Sequence, residues 1–487
     1  MTELEAHLDD TTSTAIEHLE RLIAVRSVSA RGEYLAEGAA AFATLLEECG
    51  LQTTVWESGG APVVFAHHAA RPGKPTVLIY GHYDVQPPDP IDEWRSDPFE
   101  GVLRDGAIYG RGAADNKGQL LAHIMGVALL RRLDGLDIGI KFLIEGEEEI
   151  GSPHIAQVAE RHRHELSADL ALTSDAPFHD DGTPVVIFGV RGLLYVELEA
   201  RGANRDVHSG NRGGIAPTPA WELVAALDSM RDSHGDVRIA GFYDDIRSPS
   251  ALERELLRGL PFDRQALRSE LGLARLPPQA EEDPAHALMF SPTFNIAGLT
   301  SGYGGPGAKT IVPSRASCKL DLRLVADQDP DRIFASIEAH LHERFPAIRL
   351  TKLASVPPSA TSPATPFAEP VIAAVSRACG QPPLLRPRLG GTTPDFVFTR
   401  VLGMPSLLIP YGQPGMNHHA PNEHITVAAV RRGIACTVEI CETLGYGEAT
   451  QKASNAGETV PGGAPARSRS DTSGVAAQAP GRRLAST

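Results

Sequence analysis

The chain has 487 residues, 42% hydrophobic and 22% charged, which gives apolar mass for two or three packed domains and excludes a coiled coil, a disulfide-stapled miniature fold or a largely disordered chain. A net charge of −16, with no Lys/Arg block long enough to follow a phosphate backbone, excludes nucleic acid as an expected partner. The five cysteines (Cys49, Cys318, Cys379, Cys436, Cys441) form no C-x-x-C pair, residues 1–10 are acidic where a secretory signal would be basic, and no apolar run reaches the roughly 18 residues of a membrane span, so a cytoplasmic protein with no membrane partner is expected.

In chain order, Ile16, Leu19, Leu22 and Ile23 fall at helical spacing, and a second helical stretch covers 36–49. The β-prone run 76–80 ends at Gly81 and is followed by a polar loop and a helix over 118–133. Two more buried-type strands, 138–144 and 170–173, end in an acidic turn and at Ser174-Asp175. Near-continuous apolar strands alternating with helices predict an α/β fold whose sheet is covered on both faces. After Pro184 the residues alternate, at 194–199 and 318–324, as in strands with one wet face. Buried-type strands return at 406–409, with a last helix over 426–444. The expected division is an α/β domain over 1–185 and 355–447, interrupted by a smaller inserted α+β domain over 186–354. Residues 448–487 hold no aromatic residue and are expected to be a disordered tail.

The chemistry gathers where strands end. Gly81-His82-Tyr83-Asp84 follows one strand, Asp115 precedes a helix, Glu148-Glu149 follows another strand, and Asp175 a third. Ligands of open α/β sheets bind outside the carboxyl ends of the strands, so these residues are placed to converge. Any one of these motifs alone fits a capping pair or a solvated helix start; together, with a late His418-His419-Ala420-Pro421-Asn422-Glu423, they point to a site. Five carboxylates in one cleft repel unless divalent cations compensate them. Imidazole and carboxylate ligands without thiolate suit zinc, manganese or cobalt. No G-x-S-x-G elbow exists, and in 302–310 an alanine separates the glycine from Lys309, so that stretch is a loop and not a phosphate cradle.

The combination of Gly81-His82-Tyr83-Asp84-Val85-Gln86-Pro87, the Gly110–Gly118 segment around Asp115, Glu145-Gly146-Glu147-Glu148-Glu149-Ile150-Gly151-Ser152 and His419-Ala420-Pro421-Asn422-Glu423 resembles the dinuclear metallopeptidases that include carnosinase-like cytosolic dipeptidases, carboxypeptidase G, acetylornithine deacetylase and succinyl-diaminopimelate desuccinylase. The resemblance is closest to the dipeptidase branch and covers all but the tail. It implies a zinc-peptidase-like catalytic domain, a central sheet flanked by helices, interrupted by a lid and dimerisation domain. It further implies two divalent ions per subunit, zinc first, with manganese or cobalt as alternatives. His82 and Asp175 would ligate one ion, Glu149 and His419 the other, and Asp115 would bridge them. Asp84 would orient His82, and Glu148 would be the general base. Three consecutive glutamates leave the register to be set by Gly151-Ser152.

The resemblance also assigns His208, in Asp206-Val207-His208-Ser209-Gly210, as an oxyanion donor that reaches the site of a partner subunit in a homodimer formed by the inserted domain. Thr310 and Arg323 match positions that bind the substrate's terminal carboxylate, and Gly391 and Thr392 match a segment that binds the substrate backbone. Where carnosinase-like enzymes carry a further substrate-contacting histidine, residues 359–365 offer none. The expected activity is metal-dependent hydrolysis of the amide bond of a dipeptide or small peptide. An N-acyl or N-carbamoyl amino-acid amidohydrolase of the same fold is the alternative, and a non-catalytic, metal-stabilised binding protein the rival from another class.

Overall fold

The computed structural model describes residues 3–446. The expected tail at 448–487 lies outside the described residues. An eight-stranded mixed sheet forms the larger unit, in the spatial order Gln52–Trp56, Val63–His68, Gly139–Glu145, Thr76–His82, Leu170–Thr173, Ser406–Leu408, Val185–Ile187, Leu384–Arg386. The three strands that carry the sequence motifs are parallel neighbours, with His82 opposite Glu145 and Tyr80 opposite Thr173. Ser406–Leu408 extends this parallel set, Leu408 facing Thr173. Four strand ends therefore open on the same edge of the sheet.

The strands expected from their apolar runs are present, and helices cover both faces. Glu3–Ile23, Leu35–Glu48, Lys117–Arg132 and Val427–Tyr446 enclose a core that includes Leu19, Phe42, Leu121, Ile140 and Ile434. A second cluster, around Leu78, Tyr80, Leu143 and Phe398, fills the opposite face. The edge strand Gln52–Trp56, with mostly exposed positions, lacks a clear period, and its neighbour Val63–His68 is a short run whose apolar residues end in two histidines; both escaped the sequence reading.

A four-stranded antiparallel sheet, in the order Asn295–Ser301, Arg315–Leu324, Gly192–Arg201, Arg349–Val356, has its own core, in which Leu194, Val196, Leu320 and Leu322 pack against helices Pro219–Met230 and Pro330–Arg344. The strand Val185–Ile187 still pairs in the large sheet, and the strand ending at Val356 still belongs to the small one. The crossings expected at 185/186 and 354/355 thus cut through strands, and the chain changes sheets between Ile187 and Gly192 and again after Val356. The two connections lie side by side: Ser359 N–H donates to Val190 O at 3.1 Å and Thr361 N–H to Phe188 O at 2.7 Å.

A helical excursion from the small unit returns to the large one. Glu253, on helix Ala251–Arg258, is buried between Arg247 (3.1 Å) and Arg388 (2.8 Å), and Arg388 also faces the Phe290 ring. Burial raises the Glu253 carboxyl, but the Arg247 hydrogen bonds, the Ser250 cap and the Arg388 charge outweigh it and hold the group at about 2. Glu253→Ala leaves Arg388 buried without a counter-charge and should cost about 3–5 kcal/mol in urea unfolding. Because the folded pKa is depressed, the wild-type contribution should be complete above the ordinary glutamate range and fade as pH falls toward 2, so the gap between the two proteins should narrow in acid.

Candidate metal centre

His82 is the last residue of its strand; Glu148 and Glu149 follow the strand that ends at Glu145, and Asp175 lies two residues past Thr173. His419 arrives on the loop after Ser406–Leu408, and Asp115 on the loop before helix Lys117–Arg132. Two triads result, His82–Asp115–Asp175 and Asp115–Glu149–His419, each with one ligand atom per residue all within 4.8 Å of one another. His82 Nε2 lies 3.2 Å from Asp115 Oδ1 and 3.5 Å from Asp175 Oδ2. His419 Nε2 lies 2.9 Å from the other Asp115 oxygen and 3.3 Å from Glu149 Oε2. Asp115 is the shared member, with one oxygen toward each imidazole.

The register of the three glutamates follows from their partners. Glu147 turns away and its Oε2 lies 2.7 Å from His154 Nδ1, while Glu148 and Glu149 line the cleft. The turn is tight because Gly146 lies against Tyr83: a Cβ there would sit 2.2 Å from the ring. Asp84 acts differently from the expected simple orienter. Its backbone oxygen is the nearer group to His82 Nδ1, at 3.0 Å against 3.4 Å for Oδ1, while its carboxylate accepts the N–H groups of Glu148 (3.2 Å) and Glu149 (3.0 Å). One residue thus fixes both the His82 ring and the glutamate turn.

Two further residues, quoted in the motifs without a role, hold the site. Glu423, fully buried, accepts hydrogen bonds from Arg111 Nη1 (2.7 Å) and from the backbone N–H groups of Gly112, Ala114 and Asp115, so the loop bearing His419 is pinned to the loop bearing Asp115. This clamp accompanies a left-handed backbone at His419, φ +54°. Gln86 donates to Glu149 Oε2 at 2.9 Å. Only their position inside acidic and histidine motifs could have signalled them.

The charges call for cations. Burial opposes the protonated form of His82, yet the close carboxylates of Asp115, Asp175 and Asp84 raise it well above the ordinary histidine range. The hydrogen bond to Asp115, with that to Glu149, raises His419 to about 10. Burial, and then the Asp175, Glu149 and Asp115 carboxylates against the His82 charge, push Glu148 well above the ordinary glutamate range. Among the described residues, protons on these imidazoles and on Glu148 supply the main compensation to the cluster. Buried His82 Nε2 moreover sits 3.2 and 3.5 Å from the Asp115 and Asp175 oxygens without a well-aligned hydrogen bond to either, an arrangement that suits three ligands around an ion. The oxygen and imidazole donors fit two divalent ions.

The adjoining cleft, about 240 Å³, is lined by Glu148, Glu149, His419, Arg323 and Thr392 among others. Arg323 Nη1 donates to Thr392 Oγ1 (3.0 Å), while its other nitrogens face Asp321 at 3.3 and 3.4 Å. Gly391 is exposed beside Thr392, and a Cβ there would meet only Leu389, at 3.7 Å and beyond. His208 and Thr310 do not line this cleft. They lie together on the exposed pairing of Val207–His208 with Ile311–Val312, where Ser209 N–H donates to Thr310 O at 3.0 Å. In 359–365, where a histidine is missing, Ser359 is buried and donates to Asp395, so this stretch is a packed seam.

Fold and site together define an α/β protein with an imidazole–carboxylate cluster for paired cations at the strand ends. The chain belongs to peptidase family M20/M25/M40, whose model matches residues 78–443. It is 34% identical over 287 residues to the human (Homo sapiens) Beta-Ala-His dipeptidase, covering 58% of this chain and 57% of that protein. It is 30% identical over 290 residues to the Cys-Gly metallodipeptidase dug1 of Schizosaccharomyces pombe, covering 58% and 60%. The chain thus spans under two thirds of these relatives' length. The M20 family metallo-carboxypeptidase Sso-CP2 from Sulfolobus solfataricus superposes with a TM-score of 0.83 at 35% identity, covering 91% of this chain and all of that one.

Purified protein should hold about two divalent ions per chain by elemental analysis. Asp115→Ala should lose both, and zinc uptake at pH 7 should release protons from His82 and His419, measured by calorimetry in buffers of different ionisation enthalpy, so that affinity falls as pH falls.

Proposed function

We propose that this protein is a dinuclear metallohydrolase that cleaves the amide bond of dipeptides or small peptides. The observation that carries the reading is Glu148, set in one cleft with two cation triads that share Asp115 and with Arg323 and Thr392. The family and the dipeptidase relatives support it. His82 and Asp175 would hold one ion, Glu149 and His419 the other, and Asp115 both; zinc suits this donor set, as do manganese and cobalt. We divide the chain into a catalytic unit, before Gly192 and after Val356, and an inserted lid and dimerisation unit between them. Five unbridged cysteines suit a cytoplasmic protein.

Two divalent ions, once bound, would supply Lewis-acid activation of the attacking water and of the scissile carbonyl. Glu148 takes the proton of the attacking water. Its elevated pKa in the ion-free site reflects burial and carboxylate repulsion, and it ionises once cations cancel the repulsion. The same carboxyl then delivers the proton to the leaving amine. Asp84, through the Glu148 and Glu149 N–H groups, keeps that carboxyl at the right distance. Arg323 binds the substrate carboxylate end through its guanidinium, which the Thr392 hydroxyl, itself donating to Arg191 O, helps to hold, and the Gly391-Thr392 segment faces the substrate backbone. Gly391 leaves the backbone open beside them.

Exposed Ile215 and Trp221, 75% and 73% exposed, and the edge strand Asn295–Ser301 with Ile296 and Leu299 outward support pairing of the inserted unit with a second copy. His208 and Thr310, exposed and away from their own cleft, would then serve the partner's site. The missing histidine at the Ser359 seam favours a second reading, an N-acyl or N-carbamoyl amino-acid amidohydrolase. Turnover of a dipeptide panel against N-acylated amino acids separates the two.

Glu148→Gln should keep fold and ions and lose at least about 10² in turnover; if Glu147→Gln is the variant that does so, the register assigned above is wrong. Co-expressed His208→Ala and Glu148→Gln chains should form mixed dimers with one complete site and recover toward half the wild-type activity. Mixed dimers as inactive as either parent would reject the action of His208 on the partner.

A further inference from the structure

Helix Lys117–Arg132 is buried almost all round, so its polar residues stand out. Asn116, Gln119 and His123 recur at helical spacing along one face, each no more than 1% exposed. Packing alone would favour apolar residues there, because an uncompensated buried polar group costs on the order of 1–3 kcal/mol. Each of these side chains instead spends its hydrogen bonds beside the metal centre.

Gln119 Nε2 donates to Ala114 O (2.9 Å), the carbonyl just before Asp115, while its Oε1 accepts the N–H groups of Tyr411 and Gly412. Asn116 Nδ2 donates to Ser174 O (2.6 Å), just before Asp175. His123 Nε2 lies 2.8 Å from Ser174 Oγ, which itself donates to Ile409 O. Since Ser174 uses its only proton there, His123 donates through Nε2. Its Nδ1 must then accept; Thr437 Oγ1 lies 3.0 Å from it and 3.0 Å from Gly433 O, and of these two acceptors for its one proton only the first satisfies Nδ1, with Tyr411 OH 3.1 Å behind. Burial lowers His123 to about 3, which keeps the ring neutral and this direction of donation fixed.

We infer that Tyr411, Thr437, His123 and Ser174 form a directed hydrogen-bond relay whose task is to position Asp175 against Asp115, so that His123 and Ser174 are positioning residues for the ion held by His82 and Asp175. The relay touches no residue of the Glu149–His419 triad. It rests on the metal-centre reading above, and it makes the two ion positions separable: loosening Ser174 releases Asp175 and leaves Glu149 and His419 in place.

The test is zinc titration of the purified protein against a chromophoric chelator, which gives one dissociation constant for each ion. Ser174→Ala and His123→Phe should each weaken one ion by about 10- to 100-fold and leave the other within about 3-fold. His123→Gln, which keeps a donor and an acceptor, should recover most of the loss. In a Glu149→Gln background, which removes the other ion, Ser174→Ala should weaken the ion that remains. Thermal melting identifies folded variants, and Ser174→Ala changes the least volume. Folded variants with both constants unchanged, or with both weakened equally, overturn the relay while the metal centre stands. A wild-type chain that takes up no zinc overturns the metal-centre reading and the relay with it.

Discussion

The arrangement depends on a charge that the protein cannot neutralise by itself. Asp115, Asp175, Glu148 and Glu149 face one another at the ends of buried strands, and among the described residues His82 and His419 lie closest to answer them. Removing such charges from water is costly, and mutual repulsion adds to the cost. Burial raises the Asp115 carboxyl, but the adjacent His419 and His82 imidazoles reverse this and hold it below the ordinary range, so each proton on an imidazole stands in for part of a cation. In the proposed site the same imidazoles would ligate an ion when neutral and hold protons when it is absent, which couples ion binding to proton release.

Around that charge the scaffold is built to hold angles. Asp84 ties the His82 strand to the glutamate turn, Glu423 ties the His419 loop to the Asp115 loop, and Lys117 Nζ ties the start of the next helix to the Leu22 and Val25 carbonyls at the end of the first helix. These links join segments that lie up to 312 residues apart in the chain. Side chains on strand ends and helix starts are positioned more rigidly than those on free loops, which is what a site with two adjacent ions requires.

Much of this was legible in the sequence for physical reasons. Buried parallel strands such as 76–82 and 139–145 are apolar throughout, so their ends, and the acidic or histidine residues just past them, are visible as breaks in hydrophobicity. The alternation at 192–201 and 315–324 revealed a second sheet with one wet face. Connectivity was not legible. The fully exposed strand 295–301 has no period to read, and the three-residue strands 185–187 and 384–386 are too short, so the crossings between the two units were placed inside strands. Glu423 and Gln86 went unassigned because their roles lie in hydrogen bonds to backbone and ligand atoms far away in sequence.

The central claim is that one carboxylate, Asp115, joins two ion positions. Anomalous diffraction at the zinc edge from crystals of the zinc-loaded protein tests it most directly. Two peaks per chain are expected, one roughly 2.0–2.2 Å from His82 Nε2 and an Asp175 oxygen and the other at the same range from His419 and Glu149, with an Asp115 oxygen on each. A single peak, or a pair that leaves Asp115 unligated, would contradict it.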